Sequence, residues 1–164
     1  MAIFGKKDKQ GSLTCNFSTL PEYLSLPSGT AVSITQDDIN QRLEITQRVG
    51  KKTVAYLPYS QIVSVGEVSK DEITKQKSVI GRAVVGKILF GNLGAVIGGM
   101  SGVGDKVETK NYFVINYHPV DSSDDVKVLG FGVVGATLHL SEFTSALLKK
   151  IPNQPLANDG PLNL

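Results

Sequence analysis

The stretch LSEFTSALLKKI, residues 140–151, decides the fold of this chain. Its apolar residues recur at helical spacing: Leu140, Phe143, Leu147 and Ile151. This spacing predicts an amphipathic helix that packs one apolar face onto a core. We expect Ser141 to be its N-cap, and Pro152 to end it because proline cannot continue the backbone hydrogen bonding of a helix.

Upstream of this helix, apolar and polar residues alternate in short runs that turns separate, which is typical of half-buried β-strands. The predicted strands are near 14–17 and at 30–35, 42–49, 53–57, 61–68, 111–118 and 126–134. In the last of them, Gly130 and Gly132 predict a bulge or the close approach of another backbone. Residues 70–76 are charged, and they either continue the predicted strand at 61–68 or begin a stalk.

About seven short antiparallel strands followed by one helix predict a mainly β fold. Two strongly bent sheets whose open end is capped by the C-terminal helix would bury the strand faces, which is the pleckstrin-homology-like (PH-like) arrangement. The strand spacing alone fits another small β-barrel equally well, and the helix favours the PH-like fold. We expect this domain at 12–151, with flexible tails at 1–11 and 152–164.

The apolar, glycine-rich segment VIGRAVVGKILFGNLGAVIGGMSGVG, residues 79–104, interrupts the strands. Its uncharged part, 88–103, is shorter than the roughly 20 residues that a membrane-spanning helix needs. We therefore expect a helical hairpin with arms at 79–90 and 93–103, joined by a turn at residues 91–92. A transmembrane anchor is the alternative that this length disfavours.

Small residues recur every fourth position in this segment and would lie on one face of a helix. A face of small residues allows two backbones to approach closely, as in small-xxx-small helix pairs. Because a small barrel has no room for the whole hairpin, we predict that it contacts a second copy of the chain or a membrane. In self-association the row of Gly94, Gly98 and Gly102 would form the contact. The predicted contact residues are Gly91, Leu93, Gly94, Ala95, Ile97, Gly98, Gly99, Gly102 and Val103.

Basic residues flank the segment, and they have two interpretations of equal weight. They would attract anionic lipid at about 1 kcal/mol each before screening, or they only keep the base of a loop soluble. These residues are Lys75, Lys77, Arg82, Lys87, Lys106 and Lys110.

Length and composition exclude several classes of protein. The 164 residues suit one domain, and a net charge of +2 argues against a nucleic-acid binder. A single cysteine, Cys15, cannot form an internal disulfide, so we expect it to be a small core residue. Together with an N-terminus that lacks the apolar run of a signal peptide, this predicts a cytoplasmic protein, with membrane association as an option.

No pattern of catalytic or metal-binding residues stands out. Residues 81–87 fit GxxxxGK, but Ile88 follows where a phosphate-binding loop needs serine or threonine. His118 and His139 have no partner in a catalytic or ligand spacing. We predict that the protein is not an enzyme and uses no cofactor or metal. A phosphoinositide site is also disfavoured, because Asp37 and Asp38 in the loop between the first two clear strands would repel an anionic headgroup.

Four runs of this sequence resemble a family of small proteins from Gram-positive bacteria and their phages. They are LPYSQIVSVGEV at 57–68, SVIGRAVVGKILFGNLGAVIGGMSGVGDK at 78–106, YFVINY at 112–117 and VLGFGVVGA at 128–136. The resemblance covers about 29–151 and implies a PH-like domain with a glycine-rich insertion and no transferable catalytic residue.

Three functions remain open after these observations. The first is a non-catalytic module that self-associates through the hairpin, and the second is a protein that binds or perturbs a membrane with the same hairpin. The third rests on the family context: a phage-type inhibitor that captures a host immune factor or a nucleotide signal, with glycine-rich backbone amides around the phosphates.

Overall fold

A computed structural model describes the chain at residues 12–21, 23–75, 88–100, 111–122, 124–134 and 139–151. The elements in these ranges are β1 (Thr14–Thr19), β2 (Ala31–Asp37), β3 (Arg42–Gln47), β4 (Thr53–Pro58), β5 (Ile62–Ser69), α1 (Lys70–Thr74), α2 (Leu93–Met100), β6 (Asn111–Tyr117), β7 (Lys127–Val133) and α3 (Leu140–Leu148). A short 3₁₀ turn, Tyr59–Gln61, separates β4 from β5. The predicted tails at 1–11 and 152–164 lie outside the described residues.

The strands form one antiparallel sheet in the order β4-β3-β2-β1-β7-β6-β5. β1 pairs with both β2 and β7 and so joins the first four strands to the last three. Buried residues alternate with half-buried ones along β1 and β2, as expected of strands with one face on the core. The prediction of a mainly β, PH-like fold with a C-terminal helix is confirmed.

An aromatic cluster joins β1 and β6 to α3. The ring of Phe17 on β1 stacks on that of Phe113 on β6, with 5.0 Å between centroids. Phe143 of α3 meets the Phe113 ring edge-on at 6.0 Å. Such offset and edge-to-face pairs add to the hydrophobic stabilisation of a core. The apolar face of α3 therefore packs on the core, as the spacing of its apolar residues predicts.

The C-terminal end of α3 is tied to the β2–β3 hairpin by a polar chain. Gln36 is fully buried, and its Nε2 donates to the carbonyl of Phe143 at 2.7 Å. The ammonium of Lys150 donates to Gln36 Oε1 at 2.7 Å and pairs with Asp38 at 2.9 Å. Tyr59 Oη also donates to Asp38 at 2.8 Å, so this carboxylate is held within the subunit.

The start of α3 differs from the prediction. His139, not Ser141, is the N-cap, and it makes no side-chain capping bond. Its φ of 131° lies in a region that residues with a side chain rarely adopt. Its carbonyl accepts the first hydrogen bond of the helix, from Phe143 N at 2.8 Å, so the helix begins at Leu140.

The charged residues after β5 form neither more strand nor a stalk, but the short helix α1. Ser69 caps it: Ser69 Oγ accepts from Glu72 N, and Glu72 Oε2 accepts from Ser69 N at 2.7 Å. This reciprocal capping box follows the S-x-x-E pattern that marks a helix start. The spacing of Ser69 and Glu72 is therefore the sequence signal for α1, which was not predicted.

The predicted hairpin is described in part. The turn at Gly91 and Asn92 and a helical second arm are present, the arm as α2. The first arm was predicted as a helix through residue 90, and this is wrong for residues 88–90, which are not helical. The reason is that a side chain from β6 binds the backbone of Leu89. Residues 79–87 and 101–104 lie outside the described part of the chain.

Candidate functional site

Helix α2 has two different sides, and its own subunit covers the apolar one. Leu93, Val96 and Ile97 are all buried in the hydrophobic core. Their spacing of three and four residues places them along one side of the helix. The opposite side carries Ala95, Gly98 and Gly99, which are exposed.

The apolar side of α2 packs on the outer face of the β5–β7 part of the sheet. Phe113 points to the aromatic core, so its neighbour Val114 points to the other side of β6, where it is nevertheless fully buried. Val114 is paired with Gly66 on β5 and with Gly130 on β7. Because the two glycines carry no side chains, they leave room beside Val114 for the side chains of α2.

A side chain at Gly130 would have to displace Leu93. A Cβ atom built there would lie 2.8 Å from Leu93 Cδ1 and 3.3 Å from Leu20 Cδ1. The β6–β7 register is regular through Gly130, so the predicted alternative of a bulge does not occur. Close neighbours are present at Gly130, but they are side chains of α2 and of the chain just after β1 and not another backbone, as was predicted.

Asn116 of β6 fixes the segment that leads into α2. Its Oδ1 accepts from Leu89 N at 2.7 Å, and its Nδ2 donates to the Leu89 carbonyl at 2.9 Å. Ser64 Oγ on β5 donates to the same Oδ1 at 3.0 Å. Asn116 thus binds both backbone polar groups of one residue, as a strand partner would. An asparagine inside the apolar run of β6 is the sequence signal for this contact, which was not predicted.

Two further contacts hold the N-terminal half of α2. Tyr23 Oη, from the loop between β1 and β2, donates to Asn92 Oδ1 at 2.9 Å. Gly94 lies against α1, where a Cβ atom would be 3.7 Å from the Ile73 carbonyl. Gly91 takes a φ of +51°, which favours glycine at the turn before the helix. The position and rotation of α2 are therefore set from three sides.

The exposed side of α2 consists of small residues with free space above them. Cβ atoms built at Gly98 and Gly99 would meet nothing within 4 Å. Ala95 is exposed as well and lies four residues before Gly99 on the same side of the helix. Gly91 was also predicted as a contact residue, but it lies in the turn before α2, where a Cβ atom would be 3.0 Å from Val128 Cγ2 of the same subunit. We call the residues Ala95, Gly98 and Gly99 the small-residue face. Leu89, in the segment that leads into α2, leaves 41% of its surface exposed.

The structure corrects part of the predicted contact set. Leu93 and Ile97 were expected to touch a partner, but they are buried against the sheet of their own subunit. The expectation that the second arm cannot be covered by a single subunit is wrong for this apolar side. Of the predicted row, Gly94 faces α1, whereas Gly98 is open to solvent. Gly102 and Val103 lie outside the described residues.

Only one of the predicted flanking basic residues falls in the described part of the chain. Lys75 is exposed just after α1. The other five lie outside it: Lys77, Arg82, Lys87, Lys106 and Lys110. A basic rim around the small-residue face therefore stays a prediction.

The acidic loop with Asp37 and Asp38 was predicted to join the first two strands, and this is wrong. Asp37 and Asp38 lie at the β2–β3 turn, because β1 is a full strand at Thr14–Thr19. The loop between the first two strands is 20–30, and its sequence contains no lysine or arginine. We therefore still expect that the loop between the first two strands does not attract an anionic headgroup, but the reason is its lack of basic residues and not the charge of Asp37 and Asp38.

Burial in the fold raises the pKa of two side chains among the described residues, Cys15 and Tyr59. Burial, reinforced by the charge of Glu142, raises the pKa of the Cys15 thiol from 9.0 to about 12, so the nucleophilic thiolate is disfavoured. Burial and the hydrogen bond to Asp38 raise the pKa of Tyr59. Among these residues, no three His, Cys, Asp or Glu side chains are grouped to hold a metal ion. In the same part of the chain, no helix has the length and apolar character to cross a bilayer.

Comparison with known proteins gives one match. The model of a family described as "Glycine zipper containing PH domain" matches residues 23–132. This range includes the whole glycine-rich segment and the strands on which α2 packs. No curated protein and no solved structure gives a significant match.

Proposed function

The chain belongs to the family of glycine zipper-containing PH domains, and we propose that it acts by self-association through the small-residue face of α2. PH domains are in general non-catalytic interaction modules. The proposal concerns the surface of this module that interacts and the partner that it binds.

The observation that carries the proposal is the free space above Gly98 and Gly99 on a helix that its own subunit holds in place. Keeping glycine in a helix costs about 1 kcal/mol per residue relative to alanine. The missing side chain at Gly130 makes room for Leu93 and Leu20 of the same subunit, whereas the space next to Gly98 and Gly99 is not filled by any described residue. A second backbone could fill this space, because small residues let two helices approach closely.

The proposed contact pairs the small-residue faces of two copies around a twofold axis, since like surfaces meet in such dimers. The outward residues at four-residue spacing are Ala95 and Gly99, one row over from the row first predicted, and Gly98 lies beside them. An eight-residue helix is about 12 Å long. Two such helices cover much less than the roughly 1,000 Å² of a stable interface, so we expect weak, concentration-dependent association.

Sedimentation equilibrium of the full chain tests this proposal. Gly98→Leu fills the free space, so it should abolish association, while the better helix propensity of leucine stabilises α2. Ser145→Leu is the matched control, because it also places leucine on an exposed helical position, in α3. The proposal fails if the wild type is monomeric at all concentrations, or if both variants associate as the wild type does.

A superficial membrane contact is the second candidate, and exposed Leu89 in the segment that leads into α2 favours it. An exposed apolar side chain could enter the headgroup region without spanning the bilayer. Flotation with vesicles containing phosphatidylserine distinguishes the two candidates. A chain that stays at the bottom of the gradient does not bind the membrane.

The capture of a host factor or of a nucleotide signal stays a prediction from the family resemblance. Calorimetric titration with a panel of nucleotides tests its small-molecule form. Flat titrations throughout would remove that form.

A further inference from the structure

A cleft apart from the small-residue face lies where the end of β5 and the starts of α1 and β6 meet α3. Its volume is about 280 Å³. The residues that line it are Glu67, Val68, Ser69, Glu72, Asn111, Ser141 and Thr144. Small-molecule sites usually measure about 300–1,000 Å³, so this cleft suits a single side chain better than a larger ligand.

One lining residue carries a polar group without a partner. Thr144 is only 1% exposed, and its Oγ1 has no hydrogen bond within the described part of the chain. Leaving a hydroxyl buried and unpaired is unfavourable, and such groups in folded proteins call for an explanation. A ligand group that donates a hydrogen bond into the cleft would satisfy this oxygen.

The charge of the cleft selects a cation. Its two charged lining residues, Glu67 and Glu72, are both carboxylates. One oxygen of Glu72 accepts from Ser69 N, which leaves its other oxygen for a ligand. The N-terminus of α3 contributes partial positive charge, but Glu142 in its first turn opposes it.

The strand beside the cleft is at the edge of the sheet. β5 is the last strand in the order, and among the described strands it pairs with β6 alone. An edge strand presents unpaired backbone groups that an extended peptide can bind. Glu67, Val68 and Ser69, at the end of this edge, are also lining residues of the cleft.

We propose that this cleft binds a lysine or arginine side chain of a peptide that pairs with β5 as an additional strand. Glu67 and the free oxygen of Glu72 accept hydrogen bonds from the ammonium or guanidinium group, and Thr144 Oγ1 accepts a further one. Backbone bonds to β5 hold the rest of the peptide.

The test is a titration of the ¹⁵N-labelled full chain with the peptide Ac-Thr-Val-Thr-Lys-Thr-Val-Thr-amide, followed by amide chemical shifts. Shifts are expected at Glu67, Val68, Ser141 and Thr144. The same peptide with norleucine in place of lysine keeps the stem and loses the charge, and it should bind at least tenfold more weakly. Equal binding of the two peptides, or shifts that avoid these amides, overturns the proposal.

Two variants separate the site from general effects of charge and folding. Glu67→Gln should weaken binding of the lysine peptide at least fivefold, whereas Asp124→Asn, the same charge change on an exposed turn, should alter it less than twofold. Thr144→Val removes the unpaired oxygen, so it should weaken binding without lowering the unfolding temperature. Equal effects of the two carboxylate variants, or full binding by Thr144→Val, contradict the assignment. Gly98→Leu should bind the peptide as the wild type does, since the cleft does not include α2.

Discussion

Replacing Asn116 by alanine should release α2 from the sheet while the rest of the fold stays intact. The variant removes three hydrogen bonds, two to the backbone of Leu89 and one to Ser64. Ser64 is 1% exposed, so its hydroxyl would be left without water, at a cost of about 1–3 kcal/mol. Leu89 is 41% exposed, so water can replace its bonds in part, and about 0.5 kcal/mol each is reasonable.

The sum is a loss of about 2–4 kcal/mol in the free energy of unfolding, measured by urea denaturation. Hydrogen exchange gives the more specific result. If about 2 kcal/mol of this acts on the local opening of the segment, amides of residues 88–100 exchange roughly 30-fold faster. Amides of β2 and β3, which do not touch Asn116, should change much less. Asn40→Ala is the control, because it removes an asparagine bonded only within an exposed turn.

Unchanged exchange in residues 88–100 of the Asn116→Ala variant would refute this reasoning. So would an equal increase in exchange throughout the sheet, since Asn116 would then support the whole fold rather than the position of α2.

Two further predictions concern the packing below α2 and the core thiol. Gly130→Val should destabilise the fold by about 1–3 kcal/mol, since its Cβ would start 2.8 Å from Leu93 Cδ1; a urea midpoint equal to that of the wild type would show that α2 is not packed there. Because the pKa of Cys15 is raised from 9.0 to about 12 by folding, the unfolded chain loses this proton first, so stability falls as pH rises from about 9 towards 12. Cys15→Ala should flatten this fall between pH 8.5 and 10.5, and parallel curves for the two proteins would contradict the raised pKa.

The sheet and α3 could be predicted because their patterns are local. Val32, Ile34, Leu43 and Ile45 alternate with polar residues, and all four are fully buried. The strand at 14–19 was predicted short, and this shifted the assignment of the loop that carries Asp37 by one strand pair.

The orientation of α2 could not be predicted from its own sequence. Glycine recurs at four-residue spacing in two rows, and periodicity does not tell which row faces the subunit. Residues distant in sequence determine the orientation, because Leu93 of α2 packs over Gly130 of β7 and Asn116 of β6 binds the backbone of Leu89. Gly130 alone was recognised as a point of close approach.

The cleft between β5 and α3 was beyond sequence analysis for a similar reason. Glu67 and Thr144 are far apart in the chain and belong to elements that look ordinary by themselves. Only the folded structure shows that Thr144 Oγ1 is buried without a partner.

Disulfide cross-linking of single-cysteine variants tests the central claim most directly, namely that α2 turns its small residues outward to a second copy. In a Cys15→Ala background, Ala95→Cys should form a covalent dimer under mild oxidation in the native state. Leu93→Cys, on the opposite side of the same helix, should form one only after unfolding. Cross-linking at position 93 and not at position 95 in the native protein would contradict the account.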